Sequence, residues 1–338
     1  MLVQMSAQSR AQTGVLKQPV AIVALDEKWG FIDRSGNYLF NRQFEGVGEF
    51  SEGLAAVRIA GNWGFIDEAG EIVIPPKFDD AKPFSNGLAI IVVGDKNGYI
   101  DRTGKIVITP QFKSAFSFSG GLAVVVVGDK NGYIDRTGKI VIAPQFKSAF
   151  SFSEGLAYVD LGDKKGSIDP TGRVVSDFQM DGAARPFYEG LSAVQIDNKW
   201  GYINAQGRVV IAPRFDFALN FSEGLASVSI DQQYFFIDKT GKTIIGPRYS
   251  HFMGCEGHKF SEGLTAVWID GNRRCGFINP MNRLVIRTNF DTMTHFQDFS
   301  EGLAAFSKDA KKWGFIDRSG KVVIPPKFDF VTDFRLPN

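Results

Sequence analysis

Along most of the chain, apolar and polar residues alternate in short runs rather than recurring at helical spacing. Residues 54–59 (LAAVRI) and 225–230 (LASVSI) place Ala, Val and Ile at alternate positions, as in a strand buried on one face. In 123–127 both faces are apolar, as in a strand covered on both sides. No segment keeps an apolar 3.6-residue period over eleven residues, so helix should be scarce. Between the runs stand Asp-x-x-Gly segments such as Asp33-Arg34-Ser35-Gly36. They read as hairpins built on a type I turn, with Asp bonding its own backbone and Gly in the left-handed place. Asn282 takes that place in Asn279-Pro280-Met281-Asn282. After each second strand, segments such as Pro75-Pro76-Lys77-Phe78 are expected to end the ladder, because Pro cannot donate to it. Two Phe follow, normally six apart like Phe78 and Phe84, and are expected to plug the joint between neighbouring units.

The pattern is a repeat. Residues 88–121 and 122–155 are one unit written twice, differing only at Ile90/Val124, Ile91/Val125, Thr109/Ala143 and Gly120/Glu154. The place of Trp29 recurs at Trp63, Asn97, Asn131, Lys165, Trp200, Tyr234, Cys275 and Trp313. That makes nine units, mostly 34 residues apart, with insertions toward the C-terminus. Such units bury their apolar faces only against neighbours. The expected fold is all-β: tandem β-meander repeats of about three strands over residues 19–338, stacked as an open, twisted, solenoid-like array. A closed β-propeller is the alternative, disfavoured because nine blades are unusual and 34 residues are few for four strands. Residues 1–18 are polar and expected to be disordered.

The units resemble the WG-repeat family, through a Trp-Gly-Phe-Ile-Asp strand and a Phe-Ser-Glu-Gly-Leu motif. The first is complete at 29–33, 63–67 and 313–317, the second at 50–54, 152–156, 221–225, 260–264 and 299–303. The resemblance implies a bacterial, all-β interaction module without a known catalytic site. Five of the nine units lack the family's Trp.

Composition adds exclusions. Thirty-seven Gly and 31 Phe suit short strands and tight turns. With 38 basic and 37 acidic residues well mixed, no run could neutralise a phosphate backbone, and nucleic acid is excluded as a partner. No apolar run reaches membrane-span length. Without a visible signal peptide the chain reads as cytoplasmic, with export open if the start codon is mis-assigned.

Candidate chemistry is sparse. The acids Asp33, Asp67, Asp101, Asp135, Asp169, Asp238 and Asp317 recur with their turn, which marks them as structural. Glu52, Glu154, Glu189, Glu223, Glu262 and Glu301 read as a solvated rail. Trp29, Trp63, Trp200 and Trp313 could stack a glycan but read as partly buried packing. Gly-Asp-Lys-Asn-Gly at 94–98 and 128–132 reads as a turn, not a phosphate cradle. One cluster is not repeated: His251, Cys255, His258, Cys275 and His295. Its spacing matches no recognised zinc motif, and Cys275 stands at a Trp position, which favours a packed thiol. A zinc site and a Cys255–Cys275 disulfide are the alternatives. No cofactor is expected, and no enzyme motif is present.

The function expected is a non-catalytic scaffold for a protein partner, with envelope glycan binding as the rival. The Phe-to-Phe spacing is stretched at 178–187, 249–260 and 290–299, where Met180, Arg185, His251, Met253, His258, Met293 and His295 enter. Insertions in repeat proteins gather on a binding face, and these residues are the candidate partner contacts.

Overall fold

The computed structural model describes residues 16, 18–40, 43–160, 162, 165–178, 184–246, 255, 259–269, 275–288 and 295–337. Nearly all of 1–18 therefore lies outside the described residues.

The chain is all-β, but it is a closed nine-bladed propeller and not an open array. Each blade is an antiparallel meander. Blade 2, for example, runs Gly46–Ser51, Leu54–Ile59, Asn62–Asp67 and Ile72–Phe78, each strand paired to the next. Most blades have four strands where three were expected. The first is commonly only two residues long, as Asp80–Ala81 is in blade 3, and one residue, Asp79, separates it from the last strand of blade 2. That economy is how 34 residues suffice for a blade.

Closure is direct. The last strand of the chain, Phe330–Val331, is the first strand of blade 1 and pairs with Ala21–Leu25. The Arg335 and Thr332 amides donate to Val20 and Ile22 carbonyls at 2.9 Å, and the Val20 amide returns a bond to Arg335 at 2.8 Å. An open array would leave both of these strands as unpaired edges, the liability that closure removes.

Apolar packing follows the same plan. Nine buried clusters occur among the described residues, each drawn from two adjacent blades. Between blades 2 and 3, Leu54, Phe65, Ile74 and Phe78 meet Ala81, Phe84, Ala89 and Ile91. The six-spaced Phe pair does plug this joint, with Phe84 4.9 Å from Phe65. The ninth cluster joins Phe315 and Ile324 of blade 9 to Ala21, Val23 and Phe334 of blade 1.

The Asp-x-x-Gly turns form as expected, with Gly104 at φ 81° and Gly138 at φ 87°, and Asn282 at φ 58°. They also reach across the joint: a Cβ on Gly104 would sit 3.0 Å from Ile74 of the preceding blade. Gly104→Val should therefore cost roughly 1–3 kcal/mol from backbone strain, with crowding of Ile74 added. Chemical denaturation of the variant beside the parent measures it.

The prolines do not end the ladder. Strand Ile72–Phe78 runs through Pro75-Pro76, pairing Ile74 with Phe65 and then Phe78 with Trp63. Residues 75, 76 and 77 thus face Gly64 alone, a bulge that needs no proline N–H. The Gly-Asp-Lys-Asn-Gly turn sits one step early, at Gly94-Asp95, leaving Asn97-Gly98 in the next strand.

Candidate interaction site

The recurrent polar residues are consumed by the architecture. Asp33 Oδ1 accepts from the Ser35 and Asn37 amides at 2.9 and 3.0 Å, and the same pair of bonds recurs in every unit. Asn204 and Asn279 make it with an amide oxygen. An amide cannot serve as a general acid or base, so the position needs an acceptor and not a titrating group. At Asp101, Asp135, Asp169, Asp238 and Asp317 the hydroxyl bond from the Thr or Ser two residues on is the largest effect holding the carboxyl below its ordinary range. Asp317→Asn should leave stability within about 0.5 kcal/mol at neutral pH, read from melting curves.

The Glu of the Phe-Ser-Glu-Gly-Leu motif is a latch between blades, not a solvated rail. Glu52 accepts from the Gly87 amide of the next blade at 3.0 Å, and Glu154, Glu189, Glu223 and Glu262 do the same to Gly190, Gly224, Gly263 and Gly302. These Glu sit at φ 51–53°, a left-handed conformation that costs a Glu more than Gly or Asn. The latch explains why Glu is found there. The preceding Ser makes the companion bond, as Ser51 Oγ does to the Phe84 carbonyl at 2.7 Å.

Of the singular residues, Cys255 and Cys275 are joined as a disulfide and both are buried. This overturns the packed-thiol reading and removes both sulfurs from a zinc site. The partner candidates Met180, His251, Met253, His258 and Met293 lie outside the described residues. Arg185 is described and engaged: Nε donates to the Ala218 carbonyl at 3.0 Å, and the guanidinium lies over Trp200 and Phe217 at 5.2 and 5.4 Å. It locks blade 6 to blade 7. His295 lies in the first strand of blade 9, its ring 6.5 Å from that of Trp313.

The structure adds a polar group that repeat reading passed over. The residue before the motif Phe is Pro83, Ser117, Ser151 or Pro186 in blades 3 to 6, but Lys259, Asp298, Asp333 and Glu49 in blades 8, 9, 1 and 2. Lys259 Nζ is 3.9 Å from Asp298 Oδ2, and Arg335 is 2.7 Å from Glu49. Asp298 Oδ1 and Asp333 Oδ1 are buried without a hydrogen-bond partner. Burial pushes the Asp298 carboxyl up to about 7 against the pull of Lys259, with Asp333 adding to the rise. Asp333 is raised too, chiefly by burial. Beside them, Glu49, Asp333, Arg335 and Thr332 rim a cleft of about 90 Å³ floored by Val20, Ile22, Phe31 and Phe50. The signal was the run of four charged residues at one repeat position, visible only once the ring is closed.

The family described as the WG containing repeat matches the chain nine times in succession, at 29–63, 63–96, 98–130, 132–164, 166–200, 200–234, 234–272, 276–311 and 313–335. The chain belongs to the WG-repeat family. No curated protein matches it in sequence. Among solved structures, one described as the eukaryotic initiation factor is similar at TM-score 0.67 and 12% identity, over 94% of this chain and 98% of that one. Dihydro-heme d1 dehydrogenase NirN, in complex with DHE, is similar at TM-score 0.50 and 12% identity, over 97% and 77%. At such identity the likeness shows the fold alone.

The WG pair itself has a structural cause in these repeats. A Cβ on Gly64 would lie 2.4 Å from the Ile74 carbonyl and 2.7 Å from the Pro76 nitrogen, so the Gly admits the proline bulge. Blade 7 carries Phe235 there, and its fourth strand ends at Ile245. The WG Trp is half-buried: Trp29, Trp63 and Trp313 lie against Phe330, Gly46 and His295, equivalent first-strand residues of their own blades. Where Asn replaces Trp, its amide takes over: Asn97 and Asn131 donate to the Lys113 and Lys147 carbonyls at 3.1 Å.

Proposed function

We propose that this WG-repeat propeller is a non-catalytic scaffold that binds a protein partner through its C-terminal blades. The observation that carries the reading is the division of labour among its polar residues. The recurrent Asp, Ser and Glu are committed to turns and blade joints, while the singular residues gather where the repeat is stretched. The long connections 179–183, 247–258 and 289–294, with Met180, His251, Met253, His258 and Met293, are the proposed contact segments. Mixed charge speaks for a protein over nucleic acid.

The buried disulfide favours a second statement, that the protein works in an oxidising compartment instead of the cytoplasm. Export would also allow the glycan-binding alternative, but half-buried Trp speaks against it.

The test is loop trimming. Cutting the three stretched segments to the regular six-residue spacing, with Cys255 and Cys275 retained, should keep the circular dichroism spectrum and abolish the specific set of proteins captured by the parent. Phe116→Ser, in blade 4, should capture that set unchanged. Capture of the same set by the trimmed chain would refute the reading.

A further inference from the structure

Blade 1 is the one blade built from both ends of the chain, and its first strand, Phe330–Val331, is held to Ala21–Leu25 by pairing alone. Two acidic residues of consecutive blades flank that closure, Asp298 and Asp333. Asp298 precedes Phe299 in blade 9. Asp333 stands in the segment that seals blade 1, between Thr332, whose amide bonds Ile22, and Arg335, whose amide bonds Val20. Each keeps one oxygen buried and unpartnered. Burying an ionised carboxylate oxygen without a hydrogen-bond partner is unfavourable, and the usual resolution is protonation.

The charged groups that face the pair are few among the described residues. Lys259, from blade 8, reaches Asp298 Oδ2 only at 3.9 Å and is itself more than half exposed. Arg335, on the same strand as Asp333, is turned to Glu49 at 2.7 Å. Burial raises Asp333 against the pull of Arg335 and Lys259, and Glu49, from blade 2, adds to the rise. The cations therefore do not neutralise the pair.

We propose that the closing seam is a proton-gated latch: Asp298 and Asp333 hold protons while the ring is tightly closed, and the seam loosens when they ionise. The sign follows from linkage. A carboxyl whose affinity for protons is higher in the folded state stabilises fully below its unfolded range, and that contribution is lost as pH rises through the folded value. For Asp298 the window runs from about 4 to about 7, the upper limit being its folded value. The turn aspartates work in the opposite sense, and only in the acid range below it. The seam should thus be firmest at mildly acidic pH and weakest in mildly alkaline solution, where the closing strand would release the edge of Ala21–Leu25.

The experiment uses the full chain with its disulfide intact. Thermal midpoints are measured from pH 5 to 8.5 for the parent, for Asp298→Asn, whose amide imitates the protonated acid, and for Ser117→Asn, the same position in blade 4. The parent and Ser117→Asn should lose about 3–5 °C across the range, whereas Asp298→Asn should hold its acid-side midpoint at pH 8.5. Parallel curves for all three would overturn the latch. Should Asp298→Asn fail to fold, the parent alone decides through hydrogen exchange corrected for intrinsic rate. Amides of Ala21–Leu25 must lose protection by roughly tenfold from pH 5.5 to 8 while the equivalent strand Ala89–Val93 of blade 3 does not. Equal behaviour of the two strands refutes the proposal.

Discussion

Phe334→Ala is expected to destabilise the protein by about 3–5 kcal/mol, as much as Phe84→Ala in the middle of the chain. The two residues occupy the same place in their blades. Phe334 is fully buried, 4.8 Å from Phe315, just as Phe84 is buried 4.9 Å from Phe65. Its carbonyl accepts from Ser300 at 2.6 Å, repeating the Ser51–Phe84 bond. In an open array a residue four from the C-terminus would fray, and its loss would cost little. In a ring it is a core residue like any other. Paired denaturant titrations of the two variants give the comparison, and a Phe334→Ala cost below about 1 kcal/mol beside a full cost at Phe84 would contradict closure.

Excising residues 122–155 should be still more damaging. The cut joins Gly121 to Leu156 in phase and removes one copy of a nearly duplicated unit, so no local sequence rule is broken. An open array would lose one unit and one joint and stay folded. A ring must either leave its seam open or close with eight blades, turning every joint from about 40° to about 45°. The joints are packed with interlocking Phe, Ile and Ala side chains, and close-packed interiors do not absorb such a change smoothly. We expect a midpoint lowered by roughly 10 °C or more, or rescue by strand exchange into dimers at high concentration. A monomer melting cooperatively near the parent midpoint would argue against the ring.

Much of this architecture was legible before the structure. Period-2 runs, Asp-x-x-Gly turns and the six-spaced Phe pair all depend on neighbours in sequence, and each took its expected form. Closure depends on the chain's two ends, which local pattern does not compare. The clue was present: Val20 begins on what is the second strand of every later unit, while Phe330–Val331 is a first strand with no second strand after it. Two incomplete units make one blade. The two-residue first strands were missed because so short a segment has no period to read.

The polar residues divide the same way. The turn Asp was assignable from spacing, since its partners are two and four residues away. The motif Glu was not, because its acceptor role lies 35 to 40 residues on, in the next blade. Asp298 and Asp333 were invisible as a pair for the same reason, lying 35 residues apart in consecutive blades. The disulfide stood among the alternatives, yet spacing alone could not choose it over a packed thiol.

The most direct test of the ring joins its two ends. The Asp26 amide donates to Asp329 Oδ2 at 2.9 Å, with both residues exposed, so Asp26→Cys and Asp329→Cys should form an intramolecular disulfide under mild oxidation. A closed ring gives a monomer of increased mobility on a non-reducing gel, formed at dilution and melting no lower than the parent. Oxidation that yields only intermolecular dimers, or leaves both thiols free in the folded protein, would show that the ends do not meet and that the array is open.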